Sequence, residues 1–366
     1  NSRSRSPRNK NPHCNKDKKS MYLGTYNLIG SELSMFTRKL EAQLRYQNIP
    51  HQWKFKSMSV GAELEKRAGT RFIPLLETPD GWLINDTISI GPMLSERFDE
   101  APVLPSTPVQ RAACFILEDS LNHWFPRHAL HSRWIDLDNA IDAGKGFGAN
   151  MLLSKSVDDE LTDEEAAQVA GMGKMMRDSF GLGACDVQGA GADKAEEVQS
   201  DFDTMMGLFK QHFATHDFLL GDRACIADFA LAGPSKAHYL QDPLPLSWLK
   251  EKDNDAMLDA HVKRVYDDDE AGKTYLPDDR IPDTLIPILE HAKSNYQPFA
   301  KASIQAAMRG EKTFNLDLGH GEFTARSMKR LDKARLHVRD ELQGLALGGS
   351  VLEELGVLAL YEEEQL

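Results

Sequence analysis

Every strand-like run in this chain falls within its first 90 residues, and a proline-rich stretch from Pro102 to Pro108 closes that part off. Ahead of the prolines the apolar spacing switches between two and about 3.6, the periods of strand and helix. Tyr22-Leu23-Gly24-Thr25-Tyr26 reads as a short strand, and Asn27 to Ser31 as a polar loop. Leu33, Phe36, Leu40 and Leu44 recur along one helical face until Asn48-Ile49-Pro50 stops them. Trp53 and Phe55 alternate with polar neighbours as in a half-buried strand, and a short helix runs through Leu64 and Arg67. Phe72–Leu76 and Trp82–Ile84 are joined by Thr78-Pro79-Asp80-Gly81, where Pro fixes φ and Gly accepts a positive φ, so the pair reads as a hairpin. Ile90, Leu94 and Phe98 close the series with a helix stripe. The order β-α-β-α-β-β-α implies a right-handed crossover followed by an antiparallel pair, one α/β layer.

Beyond Pro108 no strand pattern shows, and the remainder is expected to be helical. Thr107-Pro-Val-Gln110 and Thr162-Asp-Glu-Glu165 fit the capping box that opens a helix. Phe202, Met205, Met206, Phe209 and Phe213 form an apolar helical face, read as core. Residues 135–200 are polar and Gly-rich and read as long loops, and the chain turns helical again after Pro277.

No window approaches the ~18 uninterrupted apolar residues of a membrane span. The net charge of −13 hides an asymmetry: residues 1–20 carry seven Lys and Arg against Asp17, so the other 346 residues sum to −19. Such a body repels nucleic acid and anionic lipid, and neither is expected as a partner. Residues 1–20 contain no apolar run and read as a disordered basic tail. Four scattered Cys without a C-x-x-C pair argue against a disulfide framework, a zinc ribbon and a dithiol centre. A reducing, cytoplasmic location follows, or an organellar one if the Arg/Ser-rich tail is a targeting remnant.

Three features of the first hundred residues converge. Ser34 stands at the start of a helix, where unpaired N–H groups and the dipole favour an anion. Pro74 stands at a strand entry, where it removes a ladder donor and, if cis, bares the preceding backbone for a ligand. Asp86-Thr87 starts the last helix, a second N-terminus suited to a carboxylate. Together they suit a small, extended, anionic peptide.

These residues resemble the glutathione transferase family. Ser34-Met-Phe-Thr-Arg-Lys-Leu40 is similar to its Ser-Pro-Tyr-x-x-Lys-Val segment, Ile73-Pro74-Leu75-Leu76 to its cis-proline strand, and Asp86-Thr87 to its Glu/Asp-Ser pair. Phe218-Leu-Leu-Gly-Asp222 through Asp228 resembles the signature of its helical domain. The likeness covers roughly residues 21–250. It implies an α/β thioredoxin-like N-terminal domain plus an all-α C-terminal domain. The expected boundaries are a glutathione-binding domain over 21–100, a linker over 101–106, a helical domain over 107–260 and a helical extension over 261–366.

The resemblance also implies roles. Glutathione is the co-substrate, its thiol activated for attack on a small hydrophobic electrophile by the hydroxyl of Ser34 or, as in tyrosine-type members, of Tyr26. Ile73 and Pro74 would hold the cysteinyl unit, and Asp86 and Thr87 the γ-glutamyl end. Trp124, His131 and Trp134 would line the electrophile side, and a homodimer is expected. The alternative is a non-catalytic glutathione-binding or scaffold protein, since fold does not imply function and Met35 replaces the family's proline after the serine.

Other signals are weaker. His123, His128 and His131, with Asp119 upstream, invite a metal reading, but Pro126 interrupts them and three convergent ligands are not in evidence, so no metal is expected. Gly144-x-Gly146-x-Gly148 has no strand before it and supports no dinucleotide site. Cys225 stands at a helix start three residues before Asp228, which could still reach back to its N–H, and both read as structural.

Overall fold

Strand β1 (Tyr26–Gly30) lies at the centre of the N-terminal sheet, parallel to β2 (His51–Phe55) and antiparallel to β3 (Leu75–Glu77). β3 pairs antiparallel with β4 (Leu83–Asn85), giving the order β2-β1-β3-β4. This is a computed structural model, and it describes residues 23–267 and 273–363. The expected basic tail lies outside the described residues. Helix α1 (Met35–Tyr46) makes the crossover from β1 to β2, α2 (Met58–Ala68) leads to β3, and α3 (Thr87–Arg97) closes the layer.

The first strand is displaced from its expected place, Tyr22–Tyr26, by four residues. Leu23 is 70% exposed, whereas Tyr26, Leu28, Ile29 and Gly30 are buried. A central strand covered on both faces loses the alternation that marks a half-buried one. Asn27 and Gly30 then make a genuine strand look like a loop.

The second part is built on α4 (Pro108–Trp134), a 27-residue helix buried along most of its length. Around it stand α5 (Leu137–Gly148), a π-turn (Ala149–Leu153), α6 (Asp163–Val169), α7 (Met172–Met176) and α8 (Leu182–Val187). α9 (Ala195–Phe213), α10 (Ile226–Pro234), α11 (Pro243–Glu251) and α12 (Asp255–Asp267) follow. The long loops expected over 135–200 are therefore mostly short helices. Their glycines are packing residues: a Cβ on Gly144 would stand 2.2 Å from the Cα of Gly173, and one on Gly148 2.5 Å from Val169.

The C-terminal extension holds α13 (Ile286–His291), α14 (Gln297–Met308), α15 (Lys329–Leu342), α16 (Val351–Leu355) and α17 (Ala359–Glu362). It was expected to be helical throughout but is not, because β5 (Thr313–Asp317) and β6 (Glu322–Arg326) form a hairpin between α14 and α15. Phe314, Phe323 and Ala325 are buried on one face, an alternation present in the sequence but short. Asp317 Oδ1 accepts from the N–H of Gly319 at 2.7 Å and of Gly321 at 3.2 Å, which shapes the turn.

Buried charge on α4 joins all these parts. Glu118 accepts from Lys39 of α1 at 2.5 Å, and Arg127 donates to Glu197 of α9 at 2.7 Å. Asp119 accepts from Tyr296 at 2.8 Å and Tyr361 at 2.9 Å, both in the extension. Each pairing answers the desolvation that an unpartnered group on a buried helix would suffer.

Candidate functional site

Register brings three sequence-distant features to one edge of the sheet. β1 ends at Gly30, and Ile29 faces Leu75 at the start of β3. Leu75 in turn faces Asn85 at the end of β4. The loop to Ser34, the Ile73–Pro74 peptide, which is cis, and the Asp86-Thr87 pair therefore share that edge.

Ser34 caps α1, its Oγ accepting from the N–H of Thr37 at 3.3 Å. A hydroxyl used as an acceptor keeps its hydrogen for donation. The first turn of α1 carries no acidic residue to oppose an anion. Glu32 lies two residues upstream, but its carboxylate is turned to Ser156 Oγ at 3.0 Å and the N–H of Val157 at 2.8 Å, with Arg38 at 3.6 Å. Arg38 also reaches Glu41 at 2.8 Å. Burial raises the Glu41 carboxyl, but Arg38, Trp53 and Arg45 outweigh it and hold it below its usual value.

At the far side of the edge Asp86 caps α3, accepting from Ile88 N–H at 3.3 Å, with its backbone at a φ of 78°. A non-glycine residue in that region is held there by its surroundings. Its other oxygen accepts from Lys333 of α15 at 2.8 Å, so the extension reaches the site. Thr87, the first residue of α3, is buried, and Ile73 is half-buried.

Other expected positions fall elsewhere. Tyr26 begins β1 instead of ending the first strand, four residues or about 13 Å from Gly30. It is fully buried with its ring edge-on to Phe98. Trp124, His131 and Trp134 do not line a cleft. Trp124 Nε1 donates to Asp201 at 2.7 Å, His131 Nδ1 bonds the carbonyl of Ala190 at 2.9 Å, and Trp134 stacks on Phe147. All three are almost wholly buried, because α4 runs through the interior and exposes no aromatic wall. Burial, with Arg127 and His128 nearby, lowers the His131 pKa despite the Ala190 bond.

The histidines of α4 diverge: His123 pairs with Asp119 at 2.9 Å and His128 with Asp201 at 2.6 Å. Asp201 also takes His291 at 2.6 Å, and those two histidines overcome burial and hold its carboxyl far below the usual range. Among the described residues no group of three or more His, Cys, Asp or Glu is placed to hold a metal ion. No described helix is long and apolar enough to cross a membrane. Cys225 is buried at the start of α10, its N–H donating to Asp228 at 2.9 Å.

Sequence reasoning missed the residues that brace the site. Arg133 donates to the carbonyl of Leu33 at 2.7 Å and to Asp242 at 2.8 Å. Asn150 and Lys333 likewise reach the first domain from remote helices. No local pattern marks them, since each partner lies 100 or more positions away.

A four-stranded α/β domain is thus followed by a predominantly helical part. Similar solved structures are mostly glutathione S-transferases. One from Rhodospirillum rubrum F11 is 17% identical with a TM-score of 0.42, over 70% of this chain and 96% of that one. That of Ceriporiopsis subvermispora in complex with glutathione is 15% identical with a TM-score of 0.43, over 66% and 98%. FzlA from C. crescentus is 16% identical with a TM-score of 0.40, over 70% and 98%. No family model and no curated protein matches the chain.

Proposed function

We propose that this sheet edge binds glutathione and activates its thiol for conjugation to a small hydrophobic electrophile. The observation that carries the reading is the register, which gathers a Ser-capped helix start, a cis-proline strand entry and an Asp-capped helix start. The Ser34 hydroxyl would donate to the sulfur while the N-terminus of α1 stabilises the thiolate. The backbone of Ile73 would pair with the cysteinyl unit, and Asp86 with Thr87 would hold the γ-glutamyl end. A free thiol near pKa ~8.5 is only a few per cent ionised at neutral pH, and each unit of lowering represents about 1.4 kcal/mol of preference for the thiolate.

Thiolate absorbance of bound glutathione and conjugation rate, each followed against pH, test this. Ser34→Ala should raise the apparent thiol pKa and slow conjugation ~10- to 1000-fold, the scale of losing one oxyanion-type donor. Tyr26→Phe should leave both curves where they are. Equal curves for wild type and Ser34→Ala would sink the hydroxyl role. Glutathione retention without turnover would favour the non-catalytic alternative.

A further inference from the structure

Beside the Arg133 bond to the Leu33 carbonyl, one amide makes three bonds to the segment that delivers Ser34. Asn150, 1% exposed in the π-turn after α5, uses all four of its hydrogen-bonding positions. Its Oδ1 accepts from Ser31 Oγ at 2.8 Å and from the N–H of Glu32 at 2.9 Å. Its Nδ2 donates to Glu32 Oε2 at 3.1 Å and to the carbonyl of Lys155 at 2.9 Å. The backbone N–H of Glu32 can only donate, which fixes which end of the amide faces the loop. Two further bonds carry the constraint onward: Ser31 Oγ accepts from the N–H of Leu33 at 3.3 Å, and the Ser31 carbonyl from the N–H of Ser34 at 3.0 Å.

We propose that Asn150 is the positioning residue for Ser34, setting where its hydroxyl stands against the thiol sulfur without itself touching the peptide. The proposal rests on the glutathione reading above. A helix start can be formed by many loops, but a hydroxyl aimed at one sulfur needs a loop with one conformation. Asn150 supplies that from a different domain. A misplacement of about 1 Å at a reacting centre is enough for roughly 100-fold in rate.

The test compares wild type, Asn150→Ala, Asn150→Asp and the double variant Asn150→Asp/Glu32→Gln. Asn150→Ala should lower kcat ~10- to 100-fold and move the bound thiol's pKa toward its free value, with glutathione Kd little changed. Asn150→Asp, which sets a carboxylate against Glu32, should be as poor. The double variant restores a donor facing an acceptor and should recover part of kcat and of the pKa shift. Asn150→Ala added to Ser34→Ala should change the thiol pKa no further, because it acts through that hydroxyl.

Wild-type kcat and thiol pKa in Asn150→Ala would overturn the proposal. So would kcat, Kd and melting temperature falling together without rescue by the double variant, the mark of a merely structural residue. If Asn150→Ala does not fold, Asn150→Asp against the double variant decides alone. A wild type that binds no glutathione, or leaves its thiol pKa unmoved, overturns the reading beneath. A wild type that activates glutathione no better than its Asn150 variants overturns only the positioning role.

Discussion

At Arg133 a guanidinium is almost fully buried and gives its donors to three partners: the Asp242 carboxylate at 2.8 Å, the Leu33 carbonyl at 2.7 Å, and the Ala237 carbonyl. Truncation would strand Asp242 in the interior without its main counter-charge, and losing one partner of a buried pair typically costs ~3–5 kcal/mol. Arg133→Ala should therefore lower the denaturation midpoint by that scale, and an unchanged midpoint would mean that water already reaches the pair. Ser34, Pro74 and Asp86 were legible in the sequence because each does local work at the end of an element, where cap and turn chemistry restricts residue type. Arg133 and Asn150 were not. Their work depends on a partner whose identity only the folded chain supplies.

Among the elements, those with a one-sided pattern were read correctly. β2, α1 and α3 alternate or stripe, and the Thr162–Glu165 capping box opens α6 with both of its reciprocal bonds. β1 is misplaced because it is covered on both faces, and β5 and β6 escape notice because their alternation sits between long stretches of helical pattern. The glycines of α5 and α7 misled for a different reason. They mark a close helix crossing, although the same residue elsewhere marks a turn. Gly144→Ala places a methyl 2.2 Å from Gly173 backbone, and should destabilise by ~1–3 kcal/mol through overpacking. Gly183 in α8 has nothing within 4 Å of an added Cβ, so Gly183→Ala should stabilise by up to about 1 kcal/mol. Opposite signs in paired denaturation curves are expected, and a neutral Gly144→Ala would show that the helices can part.

For the whole molecule, acid sensitivity follows from buried histidines. Burial lowers His212 to about 4, with His216 and His261 contributing, and lowers His238 to about 4, with Arg133 contributing. Unfolded histidine titrates near 6.5. Between those values the unfolded chain binds protons that the folded one refuses, so stability is full above about pH 6.5 and falls as pH drops toward 4. The loss is on the order of 3 kcal/mol per histidine at the lower limit. Melting temperatures from pH 7 to pH 4 should fall steeply below 6.5, and a flat profile would place these rings in contact with solvent. The α4 carboxylates carry a further consequence, for the order of events during synthesis. Asp119 Oδ2 gains the second of its two tyrosine donors only with Tyr361, 242 residues later. At roughly 5–20 residues per second the ribosome takes about 12–50 s to cover that distance. Throughout that interval the central helix carries a carboxyl group whose Tyr361 partner has not been made. The N-terminal sheet can close on the ribosome, but the helical body cannot finish until Tyr361 has been made. A stop codon anywhere ahead of Tyr361 would leave the oldest helix of that body without that partner.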